Sequence, residues 1–155
     1  MTKMVQFREK SEALGEVRAQ VQLINATDEE LARRNQLDPA RVRSYEADAL
    51  IDTGAVRTVL PVQVVQQLGL LIRGQRLAEY ADGRKESVGI TGPVIINIGG
   101  RDTVEEALVL GDEVIIGQTV LEKLDLLADC ANRRLIPNPA HPDQPVSKVK
   151  STTVG

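Results

Sequence analysis

The chain has 155 residues, enough for one domain with a real core but short for two. Hydrophobic residues make up 42% and charged residues 26%, and one Phe, two Tyr and no Trp leave the core to Val, Ile and Leu, which favours strands. A net charge of −3 with both signs interspersed excludes a basic nucleic-acid footprint, and the lack of aromatics excludes stacking platforms for single strands.

No apolar run approaches the roughly 18 residues needed to span a bilayer. Met1 to Gly15 is polar and has no apolar core like that of a signal peptide, so it reads as an N-terminal extension of a cytoplasmic protein. Cys130 is the only cysteine, which rules out an internal disulfide and suits a reducing compartment. We expect it to be a free, buried thiol rather than a nucleophile, because the only histidine, His141, sits in a proline-rich segment.

In chain order, Glu16 to Asn25 alternates, with Val17, Ala19, Val21 and Leu23 on one face, and predicts a half-buried strand. Asp28 is the expected N-cap of a short helix through Arg34, and Leu37-Asp38-Pro39 reads as a turn within an exposed excursion over 28–43. Tyr45 to Ile51 is apolar again and runs into Asp52-Thr53-Gly54-Ala55. Val56 to Leu60 is β-rich, Pro61 suits the first turn of a helix over Val62 to Leu68, and Gly69 stops it.

Leu77 to Val88 predicts a hairpin turning at Ala81-Asp82-Gly83-Arg84, since Asp-Gly is a strong tight-turn signal. Pro93 to Ile98 is the next strand, followed by a turn at Gly99-Gly100-Arg101-Asp102 and a partner strand from Ala107 to Leu110. Val114-Ile115-Ile116-Gly117 is a short apolar run closed by glycine. Thr119 and Glu122 then read as a capping box for a helix through about Leu124. Last strands are expected at Leu126 to Ala128 and near Leu135-Ile136, and the sequence from Pro137 onward reads as a proline-rich tail. The fold class is mainly β: a closed or sandwich-like barrel of short strands over 16–136 with one or two short helices, in a single lobe, and a tail over 137–155.

The chemistry-bearing residues lie in two places. An aspartate leaving a buried strand is costly unless its carboxylate is hydrogen-bonded or has a task. Gly54 lets the backbone bend back to Asp52, and Thr53 adds a hydroxyl that both donates and accepts. A plain strand followed by an Asx-type turn has the same look. In the second place, Gly117 stands between a buried strand and a helix, where a glycine permits close approach of another backbone.

Together these segments resemble the retroviral-type (retropepsin-like) aspartic proteases, in their small bacterial form. Ala49-Leu50-Ile51-Asp52-Thr53-Gly54-Ala55 is similar to that family's active-site loop, and Thr58-Val59-Leu60-Pro61 to its continuation. Tyr80-Ala81-Asp82-Gly83-Arg84 lies where the family carries its flap, and Ile115-Ile116-Gly117 matches its second motif. Two positions depart from the pattern: Val56 stands where relatives often have a small polar residue, and Gln118 where retroviral members have an arginine that braces the dimer.

The resemblance implies an acid-protease-type barrel, a peptide or protein substrate in extended conformation, and no cofactor or metal. Hydrolysis by this route uses two carboxylates a few ångströms apart that share one proton. The chain has a single Asp-Thr-Gly, so a homodimer is expected to supply the second through a two-fold axis. Tyr80 reads first as a packing residue and second as a substrate contact. One rival reading is a non-catalytic dimeric module of the same shape that only holds peptides. Another is a phosphotransferase forming an aspartyl-phosphate at Asp52, although Val56-Arg57-Thr58 lacks the lysine or second aspartate such loops carry.

Overall fold

The structure, a computed structural model, describes residues 16–150; the expected extension over 1–15 lies outside the described residues. Strand β1 (Val17–Asn25) leads through helix α1 (Ala26–Arg33) and a single 3-10 turn (Pro39–Arg41) into β2 (Ser44–Ile51). Then come β3 (Val59–Leu60), α2 (Val62–Leu68), β4 (Ile72–Glu79), β5 (Lys85–Ile98), β6 (Arg101–Val109), β7 (Ile115–Ile116) and α3 (Gln118–Leu124). A hairpin of β8 (Leu126–Asp129) and β9 (Arg134–Pro137) follows.

Six strands close a barrel. They run β1-β2-β7-β3-β6-β5, and β5 returns to β1 by pairing Val94 with Asn25 and Asn97 with Gln22. Closure leaves those strands without a free edge. Strand β4 hangs outside on β5, and β8–β9 forms its own two-stranded sheet. The expected mainly β barrel with a flap hairpin and short helices is what forms, with three α-helices among the described residues where one or two were expected. Val17, Val21 and Leu23 are buried on one face of β1 as the alternation predicts, and Leu60, Ile96, Ile116 and Leu121 meet them in one aliphatic core.

Local chemistry moves several boundaries. Asn25, not Asp28, caps α1: its Oδ1 accepts the Asp28 N–H at 3.0 Å while its Nδ2 donates to the Leu68 carbonyl at 2.8 Å. Asp28 therefore falls inside the first turn and is buried. It accepts from the Arg43 backbone N–H (3.0 Å), Nε (2.8 Å) and Nη2 (2.9 Å). The expected exposed excursion is thus pinned at both ends. Helix α2 begins at Val62 with Pro61 at its cap, and Gly69 ends it at φ 63°.

The hairpin strands are longer than expected. Strand β5 is continuous from Lys85, and a bulge between Ile90 and Pro93 carries it past Thr91, whose hydroxyl accepts the Ala107 N–H at 3.0 Å. The following turn is only Gly99-Gly100, both at positive φ (58° and 87°), so β6 starts at Arg101 instead of Ala107. Arg101 is buried because its guanidinium donates to the Leu124, Asp125 and His141 carbonyls.

The strands expected near Leu126 and Leu135 are present. Beyond Pro137 the chain folds over Asp125, whose carboxylate takes Asn138 Nδ2 (3.0 Å), the Val146 N–H (3.1 Å) and His141 Nδ1 (2.6 Å). Cys130 corrects an expectation. It is exposed, because it opens the tight turn between β8 and β9 rather than filling the core.

The Arg43 guanidinium on Asp28 holds that carboxyl below its ordinary range, against the opposing effect of burial, with the Arg43 N–H assisting. A depressed carboxylate stabilises the fold above the unfolded-state value of about 3.9, and that contribution is lost as pH falls through the lower folded-state value. Asp28→Asn should cost about 2 kcal/mol at neutral pH. Urea unfolding at pH 7 and pH 3 checks this, and the gap between variant and wild type should narrow at the lower pH.

Candidate active site

Asp52 leaves β2 at the point where β2 meets β7. Leu50 pairs with Ile115 and Ile51 with Ile116 in parallel register, and the Asp52 N–H donates to the Ile116 carbonyl at 2.9 Å. Two apolar segments about sixty residues apart in sequence therefore lie side by side. The Ala55 N–H donates back to the Asp52 carbonyl (3.1 Å), and the Gly54 N–H donates to Asp52 Oδ1 (2.9 Å). This is the Asx-type turn expected from the tripeptide. Asp52, Thr53 and Gly54 are exposed in the single chain, whereas Ile51 beneath them is buried.

The loop rests on the start of α3. No side chain caps that helix, which corrects the expected Thr119–Glu122 capping box. Its first N–H groups donate instead to the loop that follows Asp52: Gln118 N to the Ala55 carbonyl at 2.7 Å and Thr119 N to the Val56 carbonyl at 3.3 Å. Thr119 lies inside the helix, and Glu122 accepts from Gln118 Nε2. The orphan donors of a helix N-terminus are satisfied by backbone carbonyls brought within reach.

Gly117 makes that reach possible. A Cβ there would lie 2.6 Å from the Ala55 oxygen and 2.8 Å from the Val56 carbonyl carbon and oxygen. Its φ of −94° is ordinary, so the requirement is steric and not torsional. The close backbone approach inferred for this glycine is present, under the 52–55 loop.

Other acids stand apart from this loop. Asp48, four residues earlier on β2, accepts from Arg18 Nε at 3.0 Å, and the same guanidinium also binds Glu16 (2.6 Å) and Glu113 (3.0 Å). Glu16 foremost, with Glu113 and Asp48, raises the Arg18 guanidinium above its usual range. Asp82 lies in the hairpin tip, where it accepts the Arg84 N–H at 2.9 Å.

The tip residues Tyr80, Ala81, Asp82, Gly83 and Arg84 form a self-contained turn between β4 and β5. Gly83 sits at φ 85° and donates to the Tyr80 carbonyl, and Tyr80 N donates to the Arg84 carbonyl at 2.8 Å. Tyr80 is half-buried, with the Arg84 guanidinium 4.3 Å above its ring and its hydroxyl donating to Glu86 at 2.6 Å. That bond to the Glu86 carboxylate raises the phenol above its usual range. The structure thus brings Ile115, Ile116 and Gly117 to Asp52. Among the described residues no hydrogen bond joins the hairpin tip to the loop. Sequence reasoning missed the carbonyls of Ala55 and Val56 as helix caps, and the one available signal was a helix start whose preceding residue has no side chain.

Residues 38–128, more than half of the chain, match a family described as aspartyl protease. No curated protein matches the chain. Among solved structures, it is similar to a retropepsin-like aspartic protease from Rickettsia conorii, with 16% identity over 76% of this chain and 78% of that one at a TM-score of 0.45. It is also similar to the retroviral protease-like domain of Ddi1 from Leishmania major (16% identity, 79% and 90% covered, TM-score 0.47). A third likeness is to the EIAV protease complexed with the inhibitor HBY-793 (23% identity, 69% and 86% covered, TM-score 0.44).

Proposed function

The chain belongs to the aspartyl protease family, and from that premise we propose that it is one subunit of a homodimeric aspartic endopeptidase whose site is completed by an Asp52 from each copy. The observation that carries this reading is the support of Asp52. Its carboxylate is exposed, is oriented through Oδ1 by the Gly54 N–H, and stands on a loop whose carbonyls are tied to α3. A rigid, accessible carboxylate is what general acid–base work requires.

Across a two-fold axis the two carboxylates share one proton, because like charges so close do not both ionise readily. The ionised member takes a proton from water, and its protonated twin donates to the scissile carbonyl oxygen. The departing nitrogen is then protonated, and no covalent intermediate forms. Thr53, exposed beside Asp52, ties the two loops together through its hydroxyl. The β4–β5 hairpin, with Tyr80 to Arg84 at its tip, closes over an extended peptide and excludes water. The reading places the enzyme in the cytoplasm, where a lone exposed Cys130 stays reduced. No helix among the described residues is long and apolar enough to cross a membrane.

The test is hydrolysis of an unfolded protein substrate. Cleavage should be strongest on the acid side of neutrality, blocked by a pepstatin-like inhibitor and indifferent to Mg²⁺. Hydrolysis that needs Mg²⁺ and ignores the inhibitor would favour aspartyl-phosphate chemistry instead.

A further inference from the structure

Side chains alternate across a strand, so Asp102, Val104 and Glu106 of β6 share one face. Their partners on β5 are Asn97, Ile95 and Pro93. This is the outer face of the ribbon: Val94, Ile96 and Ala107 point the other way and are fully buried. Three depressions of about 510, 420 and 480 Å³ meet on it, and Pro93 lines all three. The first adjoins Val56, which directly follows the 52–55 loop and is 67% exposed. The second runs over Pro93, Ile95 and Val104 to a wall formed by α1. Together they make one groove that starts beside Asp52's loop and ends at α1.

We propose that this groove docks a stretch of the substrate polypeptide beyond the cut bond, one that carries a lysine or arginine next to an apolar residue; the proposal rests on the proteolytic reading above. The charges decide the occupant. Near Val56 no negative charge is left over, as Lys123 pairs with Glu105, Arg73 pairs with Glu106, and the further cation Arg57 donates to the Glu106 carbonyl. At the α1 end one acid is in excess. Glu29 holds Arg33 at 2.8 Å and Glu30 pairs loosely with Arg34 at 3.7 Å, both of the latter about two-thirds exposed, whereas Asp102 makes no ion pair among the described residues.

The groove therefore pairs an apolar floor, with Val104 half exposed, with an excess of negative charge at its far end. A basic side chain complements that end. A nucleic acid, which brings only negative charge to that end, does not. The groove's continuity with the loop that carries Asp52 makes the substrate's own flanking segment the natural occupant.

The experiment separates docking from cleavage. Isotope-labelled Asp52→Asn protein is titrated with the peptide acetyl-Val-Lys-Val-Lys-Val-amide and with its glutamate counterpart. Amide shifts at Ile95, Asp102 and Val104 are expected with the lysine peptide only. The double variant Glu30→Lys, Asp102→Lys, made at two exposed positions, should weaken that binding about fivefold or more. In otherwise wild-type protein the same double variant should raise KM by a similar factor for a substrate extended with a basic segment. It should leave kcat unchanged, and also KM for the truncated substrate. No shifts on the β5–β6 face, or equal binding of the glutamate peptide, overturns the groove. Failure to cleave any peptide overturns the proteolytic reading instead, and the titration then decides by itself whether the groove binds a basic segment.

Discussion

Asp52→Asn is expected to lower peptide cleavage about a thousandfold or more, because it neutralises the group proposed to give and take the proton. The fold should survive. Asp52 is exposed and its structural duty is one accepted hydrogen bond from the Gly54 N–H, which an asparagine oxygen also accepts. Thermal unfolding and sedimentation should therefore match those of the wild type while turnover collapses. A variant that cleaves at near-normal rate would remove Asp52 from the chemistry, and one that unfolds would give it a structural role that its contacts do not show.

Gly117→Ala should be the most damaging substitution outside the loop itself. The added methyl would sit 2.6 Å from the Ala55 oxygen and 2.8 Å from the Val56 carbonyl, and these obstacles are backbone, not a side chain free to swing away. Either the 52–55 loop lifts or α3 shifts, and the Gln118 and Thr119 N–H groups lose the carbonyls that cap them. Forced overpacking of this kind costs about 3 kcal/mol. Activity should fall further than stability, since the displaced element carries Asp52. Gly74→Ala on β4 is the control: a Cβ there meets nothing within 4 Å and its φ is not positive, so both properties should hold. Equal tolerance of the two alanines, read by denaturant unfolding and turnover, would mean that the loop does not depend on its seat on α3.

The barrel was legible because its signals are local. The alternation in β1, the Asp-Gly of the hairpin tip and the glycine after α2 each act within a few residues, and each appears where it was expected. Of the candidate site, the Asx turn at Asp52 and the close approach at Gly117 were legible, because both are backbone devices written in residue type.

What the sequence concealed are partnerships across long separations. Arg101 looked like a turn residue, yet it is buried because carbonyls of α3 and of the segment after Pro137 converge on it. Asp28 looked like a cap, but Asn25 had already taken that task, which freed Asp28 to bind Arg43. The capping box at Thr119 failed for a related reason: the helix donors found the main-chain carbonyls of Ala55 and Val56 first. Cys130 misled because a free cysteine is usually buried, whereas the β8–β9 turn holds it in solvent.

Whether one site needs two chains is decided by specific activity measured against protein concentration, with mass determined by sedimentation in the same samples. If each copy supplies one Asp52, activity per molecule must fall as dilution passes the dimer dissociation constant, because active sites disappear with dimers. Excess Asp52→Asn subunits should also poison wild-type protein by forming pairs with a single competent carboxylate. Thr53→Ala should move the fall to higher concentration, and Thr53→Ser should leave it in place. Constant specific activity in a sample shown by its mass to be monomeric would contradict the shared site outright.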